Sequence, residues 1–325
     1  MKMVLLNTNG TYSHLLTYQG IKEGFYQIKQ EDPSFDFIEV NIGEQDGPKI
    51  YEYNPDFIFC SSPLAAGLRV WTKYRKKKMI CYDTESIYER LGYDTLGYCT
   101  IMATVDKFGS EIYKDDVKKR NLNCKIYHMP LGFSPNVFKF LNVQKEYESD
   151  ICLAGVMFDR RRKVLEDLYP LRDKIKIRVI TAKDWVNRVI HKDGMIVHGD
   201  VVSPDEMVKY YCGAKIVLCV NRDYSPANVL GKNSSTPGRV FQETACRRMV
   251  MIDSTRPEIN DYFENKKEIV LFNSDSGEDL RQKVMYYLEN DEEREAIAHN
   301  GYVRTMRENT WKIRLTKLLK FASEV

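Results

Sequence analysis

No stretch of this sequence is apolar for the length a membrane-spanning helix needs. The opening MKMVLLNTNG is too short in its apolar part for a secretion signal, so the expectation is a cytoplasmic protein. No Cys-x-x-C pair occurs among the eight cysteines, and most fall in apolar, strand-like runs (Cys60, Cys81, Cys152, Cys219). That spacing excludes the common zinc and redox motifs and predicts reduced core thiols. An excess of one charge is missing as well. The 49 basic residues stand against 46 acidic ones, and a net charge of +3 gives no global pull toward nucleic acid. The chain has no internal repeat, no low-complexity tract, no cluster with metal-ligand spacing and no Asp-x-Asp.

What is present is alternation. Short apolar runs at 2–7, 35–40, 56–60, 79–82 and 100–104 read as strands, and helical stretches at 13–28, 63–76, 85–91 and 107–119 separate most of them. The pattern resumes with strands at 150–154, 176–180, 195–198, 215–220, 249–253 and 268–272, and closes with helices at 277–290, 291–300 and 310–322. Strands alternating with helices predict parallel sheets covered on both faces. With 325 residues, 43% of them hydrophobic, there is enough chain for two such domains, divided at the polar, aperiodic segment 139–149. The expected domains are 1–140 and 150–325.

The chemistry concentrates at 234–253, SSTPGRVFQETACRRMVMID. Ser235, Thr236 and Pro237 are helix-start residues, and Gly238 lets a ligand come close to that start. Free N–H groups at Gly238, Arg239 and Val240 would face an anion. The helix places Gln242 on an inward apolar stripe with Cys246 and Met249, where an amide needs a partner from the core or from a ligand. It turns Glu243 outward, toward an ion pair with Arg247 one turn on.

RVFQETACRRMVMID, followed by INDYFENKKEIVLFN and YYLENDEEREAIAHNGYVRTMRENTWKIR, resembles the C-terminal half of the CgeB-like spore-maturation glycosyltransferases. The similarity covers about residues 149–315, and more loosely 78–138. It implies an α/β fold of the GT-B type, two Rossmann-like domains with a cleft between them, the last helix packing back toward the first domain. The implied activity is metal-independent transfer of a sugar from a nucleotide-sugar donor, a UDP-sugar, with no cofactor beyond the donor itself. Two positions depart from the family pattern: its glutamate falls on Gln242 and its glycine on Arg247. The Glu-x7-Glu pair of the related family 4 reads Ser234 and Gln242, which leaves retaining and inverting chemistry both open.

Further candidates follow from the resemblance. Gly10, with Thr11 and His14, lies in the first strand–helix loop, which faces the cleft in GT-B proteins; a plain turn is the simpler account. Asp83 and Glu85 follow the fourth strand, where a carboxylate would position or deprotonate an acceptor hydroxyl, or else cap a helix. His128 stands just ahead of Pro130 in the segment that links the domains. Arg160 and Arg161 open a helix, where cations are disfavoured unless an anion faces them or Glu166 and Asp167 pair with them. Gln242 takes the place of the residue that meets the donor's ribose, and His198 to Val201 would border the nucleobase. Arg222 and Lys232, with the long polar loop 223–237, complete the expected donor site. The acceptor stays open: a protein, a glycan or, with the basic run 73–78, a modified DNA base. A nucleotide-sugar epimerase and a non-enzymatic coat or binding protein are the remaining alternatives.

Overall fold

The computed structural model describes residues 1–7, 12–41, 46–61, 77–84, 94–189, 192–222 and 234–325. The helices expected at 63–76 and 85–91, most of the basic run 73–78 and most of the loop 223–237 lie outside the described residues. The chain forms two compact units: Met1–Gly132, Ser225–Ser235 and Thr310–Val325 in unit 1, and Phe133–Tyr224 and Thr236–Asn309 in unit 2.

Unit 1 carries a six-stranded parallel sheet of β1 (Lys2–Asn7), β2 (Asp36–Asn41), β3 (Phe57–Cys60), β4 (Lys78–Asp83), β5 (Ile101–Thr104) and β6 (Lys125–His128), in the order β2-β1-β3-β4-β5-β6. Its described helices are α1 (Tyr12–Glu31), α2 (Asp46–Tyr53), α3 (Asp94–Tyr98), α4 (Lys107–Lys119) and, from the far end of the chain, α10 (Trp311–Ser323). α2 goes unseen in the sequence because Gly47-Pro48 reads as a turn. In fact Pro48 occupies a first helical turn, where no N–H is needed. Asp106 caps α4, its carboxylate accepting from the N–H groups of Phe108 (2.9 Å) and Gly109 (3.2 Å).

Unit 2 carries the second sheet: β7 (Ser149–Ala154), β8 (Ile177–Ile180), β9 (Ile196–His198), β10 (Ala214–Cys219), β11 (Met249–Asp253) and β12 (Val270–Phe272). Its order is β12-β11-β10-β7-β8-β9, parallel throughout, with Leu153 opposite Leu218. Side chains alternate strictly along β7. Ile151 and Leu153 enter one core with Val164 and Leu165 of α5 (Asp159–Leu168). Cys152 and Ala154 enter the other with Val240, Phe241 and Ala245 of α7 (Arg239–Ala245). α6 (Pro204–Gly213) precedes β10, and α8 (Gly277–Glu289) and α9 (Asp291–Glu308) follow β12. All eight cysteines are buried and unbridged. Among the described residues no helix is long and apolar enough to cross a membrane.

α9 outruns its expected end near residue 300, because Gly301 is not a stop. A Cβ there would drive into the backbone carbonyl of Glu268, with its carbon at 3.3 Å and the Thr244 methyl at 3.7 Å. Glycine at this position lets the helix lie directly on the strand connection. Gly301→Ala is expected to cost about 1–3 kcal/mol, since the obstacle is backbone and cannot rotate away. A lowered urea midpoint with an unchanged m-value would register it.

Candidate functional site

In unit 2 the strand order reverses at β7 and β10, which are neighbours although two strands intervene in sequence. Open α/β sheets bind ligands beyond the carboxyl ends of such a pair. The chain leaves β7 through Gly155 at φ 120°, a conformation closed to other residues. A side chain there would also collide with two guanidinium groups, its Cβ lying 2.5 Å from Arg239 Nη1 and 2.7 Å from Arg161 Nη1. Both arginines converge on one acceptor. Arg161 donates to the Val220 carbonyl through Nε (3.1 Å) and Nη2 (3.0 Å), and Arg239 approaches the same oxygen through Nη2 (3.4 Å). Arg161 Nη1 reaches the Val156 carbonyl (2.6 Å), and Arg239 Nη1 the Ala154 carbonyl. The two cations thus gather carbonyls at and just beyond the carboxyl ends of β7 and β10.

The counter-charge is Glu243, one turn along α7 from Arg239 and 0% exposed. Its Oε1 stands 3.3 Å from Arg239 Nε, but neither carboxylate oxygen is aligned for a hydrogen bond with it. Burial pushes the Glu243 carboxyl up to about 7, against the pull of Arg239, the Cys219 thiol and Arg161. Arg161 is drawn down to about 9 by burial and by the charge of Arg239. Arg239 keeps its charge beside the Glu243 carboxylate. The local count is two cations, Arg161 buried and Arg239 19% exposed, against the one buried carboxylate of Glu243.

Beside this trio, Asp253 at the end of β11 clasps the chain leaving β10. It accepts from the Asn221 main-chain N–H (2.5 Å), from Asn221 Nδ2 (2.9 Å) and from the Thr255 N–H (3.2 Å) and hydroxyl. Arg160, partly exposed, donates to Ser274 Oγ (2.6 Å) and lies 4.0 Å from Asp275.

Three comparisons bear on this arrangement. Residues 160–320 match the model of a family described as glycosyl transferase-like. The spore protein CgeB of Bacillus subtilis is 24% identical over 273 residues, covering 79% of this chain and 80% of CgeB. Among solved structures, HepE of Anabaena in complex with UDP and glucose superposes with a TM-score of 0.69 at 10% identity, over 100% of both chains. Sucrose-phosphate synthase of Thermosynechococcus elongatus follows at 0.68 and 10%, over 100% of this chain and 98% of its own. The chain has the GT-B fold, carries a glycosyl transferase-like domain over residues 160–320 and is similar to CgeB. The span matched by the family model opens at Arg160 and so contains Arg161, Arg239 and Glu243.

The orientation of α7 corrects the sequence reading. Glu243 is the inward residue and pairs with Arg239, not Arg247; Gln242 is half-buried, its main-chain carbonyl accepting from Cys246 Sγ (3.4 Å). The helix ends at Ala245, and exposed Arg247 lies beyond it in the left-handed region at φ 53°. That conformation explains why the family carries glycine at this position. Nor is Val240 an open donor: its N–H is taken by the Pro237 carbonyl (3.0 Å), and its side chain is core. Gly238 occupies the cap position without a side-chain bond, preceded by buried Ser235 and Thr236.

Elsewhere the structure gives several candidates partners other than those expected. Glu166 and Asp167 do not pair with the arginines of α5; Asp167 holds Lys163 at 2.7 Å. His198 ends β9, where its Nε2 meets Arg178 Nη1 at 2.6 Å. Arginine can only donate, so this ring is neutral with its proton on Nδ1. Burial and the Arg178 charge hold its pKa below the ordinary value. Val201 is 73% exposed, and the Arg222 carbonyl accepts from Arg256. In unit 1, Asp83 is 1% exposed and accepts from the Tyr113 hydroxyl (3.1 Å), which ties β4 to α4. His128 ends β6, half-buried. Ser234, one of the paired family-4 positions, donates to Asp106 (2.6 Å). Gly10, Glu85 and Lys232 lie outside the described residues.

Proposed function

We propose that the protein transfers a sugar from a UDP-sugar to an acceptor not yet identified, and that unit 2 holds the donor. The observation carrying this reading is the pair of guanidiniums, Arg161 and Arg239, that flank the bare backbone of Gly155 where the sheet order reverses. HepE, of the same fold, was solved with UDP and glucose. Glycosyl transfer proceeds through an oxocarbenium-like transition state, and its main demand is to stabilise the departing diphosphate. Preorganised cations in a water-poor site meet that demand without reorganising. Because arginines supply the charge, the reaction is expected to survive chelation of divalent metals.

Half-buried Gln242 takes the ribose, offering both an acceptor and a donor. Gln242→Ala is expected to weaken UDP binding by about 1 kcal/mol, roughly fivefold, while leaving the melting temperature of the free protein unchanged. Calorimetric titration with UDP measures the first and a thermal scan the second. The function itself is tested by a melting series with uridine, thymidine and guanosine diphosphates, followed by release of glucose from UDP-glucose. A ligand at 100 times its Kd stabilises by about 2.7 kcal/mol. A melting temperature that no diphosphate moves would refute the donor site.

A further inference from the structure

Glu243 is a more unusual group than its neighbour Gln242. A carboxylate at 0% exposure normally has both oxygens hydrogen-bonded. Glu243 has a misaligned charge contact with Arg239, and neither oxygen meets hydrogen-bond geometry. The groups around it come from every neighbouring element: Arg239 on its own helix and Cys246 just past its end, Arg161 on α5, Cys219 on β10, Cys152 on β7 and Tyr211 on α6. The thiols and the phenol are held in their neutral forms by burial. Only the two arginines are charged, and Glu243 is the anion that offsets them.

We propose that Glu243 is a positioning residue of the donor site whose negative charge gives way to the donor's diphosphate. In the free protein the ionised carboxylate offsets part of the charge of the guanidiniums that flank Gly155. When a diphosphate arrives, a second anion enters the same field, and a carboxylate in a medium of low dielectric is repelled by it. Glu243 then takes one proton from solvent, and both guanidiniums act undiluted on the leaving group. The balance is a single proton gained on binding and returned on release. No bond to the substrate is made by Glu243 itself. A carboxyl pushed up to about 7 is poised to make this change near neutrality. The inference rests on the donor site proposed above and adds to it a dependence on pH.

UDP-glucose is the suitable probe, because its diphosphate is a diester with no group of its own titrating near neutral pH. Calorimetry at pH 7.5 in two buffers of different ionisation enthalpy reads the net proton uptake on binding. The expected result for the wild type is uptake of a substantial fraction of a proton, with affinity falling severalfold from pH 6.5 to pH 8.5. Glu243→Gln, which mimics the protonated acid, is expected to bind with no uptake and a flat pH profile. Glu243→Asp, which keeps the charge, restores the slope. Should Glu243→Gln fail to fold, the wild-type uptake and the Glu243→Asp slope still decide. Binding by the wild type without proton uptake overturns the role of Glu243 and leaves the donor site standing. Equal uptake by wild type and Glu243→Gln overturns it too, whereas no binding at any pH overturns both.

Discussion

Arg239→Ala is expected to lower the unfolding free energy by about 3–5 kcal/mol at pH 8, the scale for removing one partner of a buried ion pair. Most of the loss comes from what remains: Glu243, still at 0% exposure, without the guanidinium that stood 3.3 Å away. The loss should shrink toward pH 5. The Glu243 carboxyl is raised from an ordinary 4.5 to about 7 in the folded protein. Its contribution to stability is therefore fully present below about pH 4.5 and is lost as pH rises through 7. Removing Arg239 raises that carboxyl further, so the variant keeps losing stability at pH values where the wild type has levelled off. Urea unfolding of both proteins at pH 5 and pH 8 measures the difference. The same penalty at both values would mean that lost packing, and not the charge of Glu243, is responsible.

Trp311→Ala should be comparably damaging in unit 1, at about 3–5 kcal/mol, the range for emptying a large aromatic site. Trp311 opens α10 and is 4% exposed. It stands edge-on to Tyr82 of β4, with ring centroids 6.3 Å apart, and it fills a slot walled by the bare backbones of Gly20 and Gly132. Tyr82 in turn donates its hydroxyl to the Met129 carbonyl (3.0 Å). The indole is therefore the joint between α1, the sheet and the segment after β6. A loss under about 1 kcal/mol in the urea midpoint would show that the slot collapses when emptied.

The contrast between β7 and α7 explains what the sequence could and could not reveal. Along β7, Ile151 to Ala154 alternate between two cores, and both sets are apolar or thiol, so an apolar run between turns announces a covered parallel strand. α7 is only seven residues long and buried around most of its circumference, by Val240, Phe241, Glu243, Thr244 and Ala245. A helix without a wet face has no stripe from which to fix its rotation. Glu243 consequently looked like the solvent side and Gln242 like the core. The acid's true partner precedes it at Arg239, in the less favoured order for an exposed pair, which only burial makes important. Arg161 was legible as an anomaly, a cation at a helix start, but its answer lies 59 residues on in the Val220 carbonyl. No local pattern carries that distance.

The return of α10 to unit 1 has a consequence for how the chain is made. A ribosome delivers residues in order, at roughly 5–20 per second. Gly20 and Gly132 are out long before Trp311, with nearly 180 residues between the last of these and the indole. For roughly 10–35 s the first-made half therefore carries an open, aromatic-lined slot around Tyr82 and Gly132, while unit 2 is still being assembled behind it. Birth order and completion order are reversed: the half that starts first finishes last. A nascent chain halted before Trp311 displays this unfilled slot to the folding machinery of the cell.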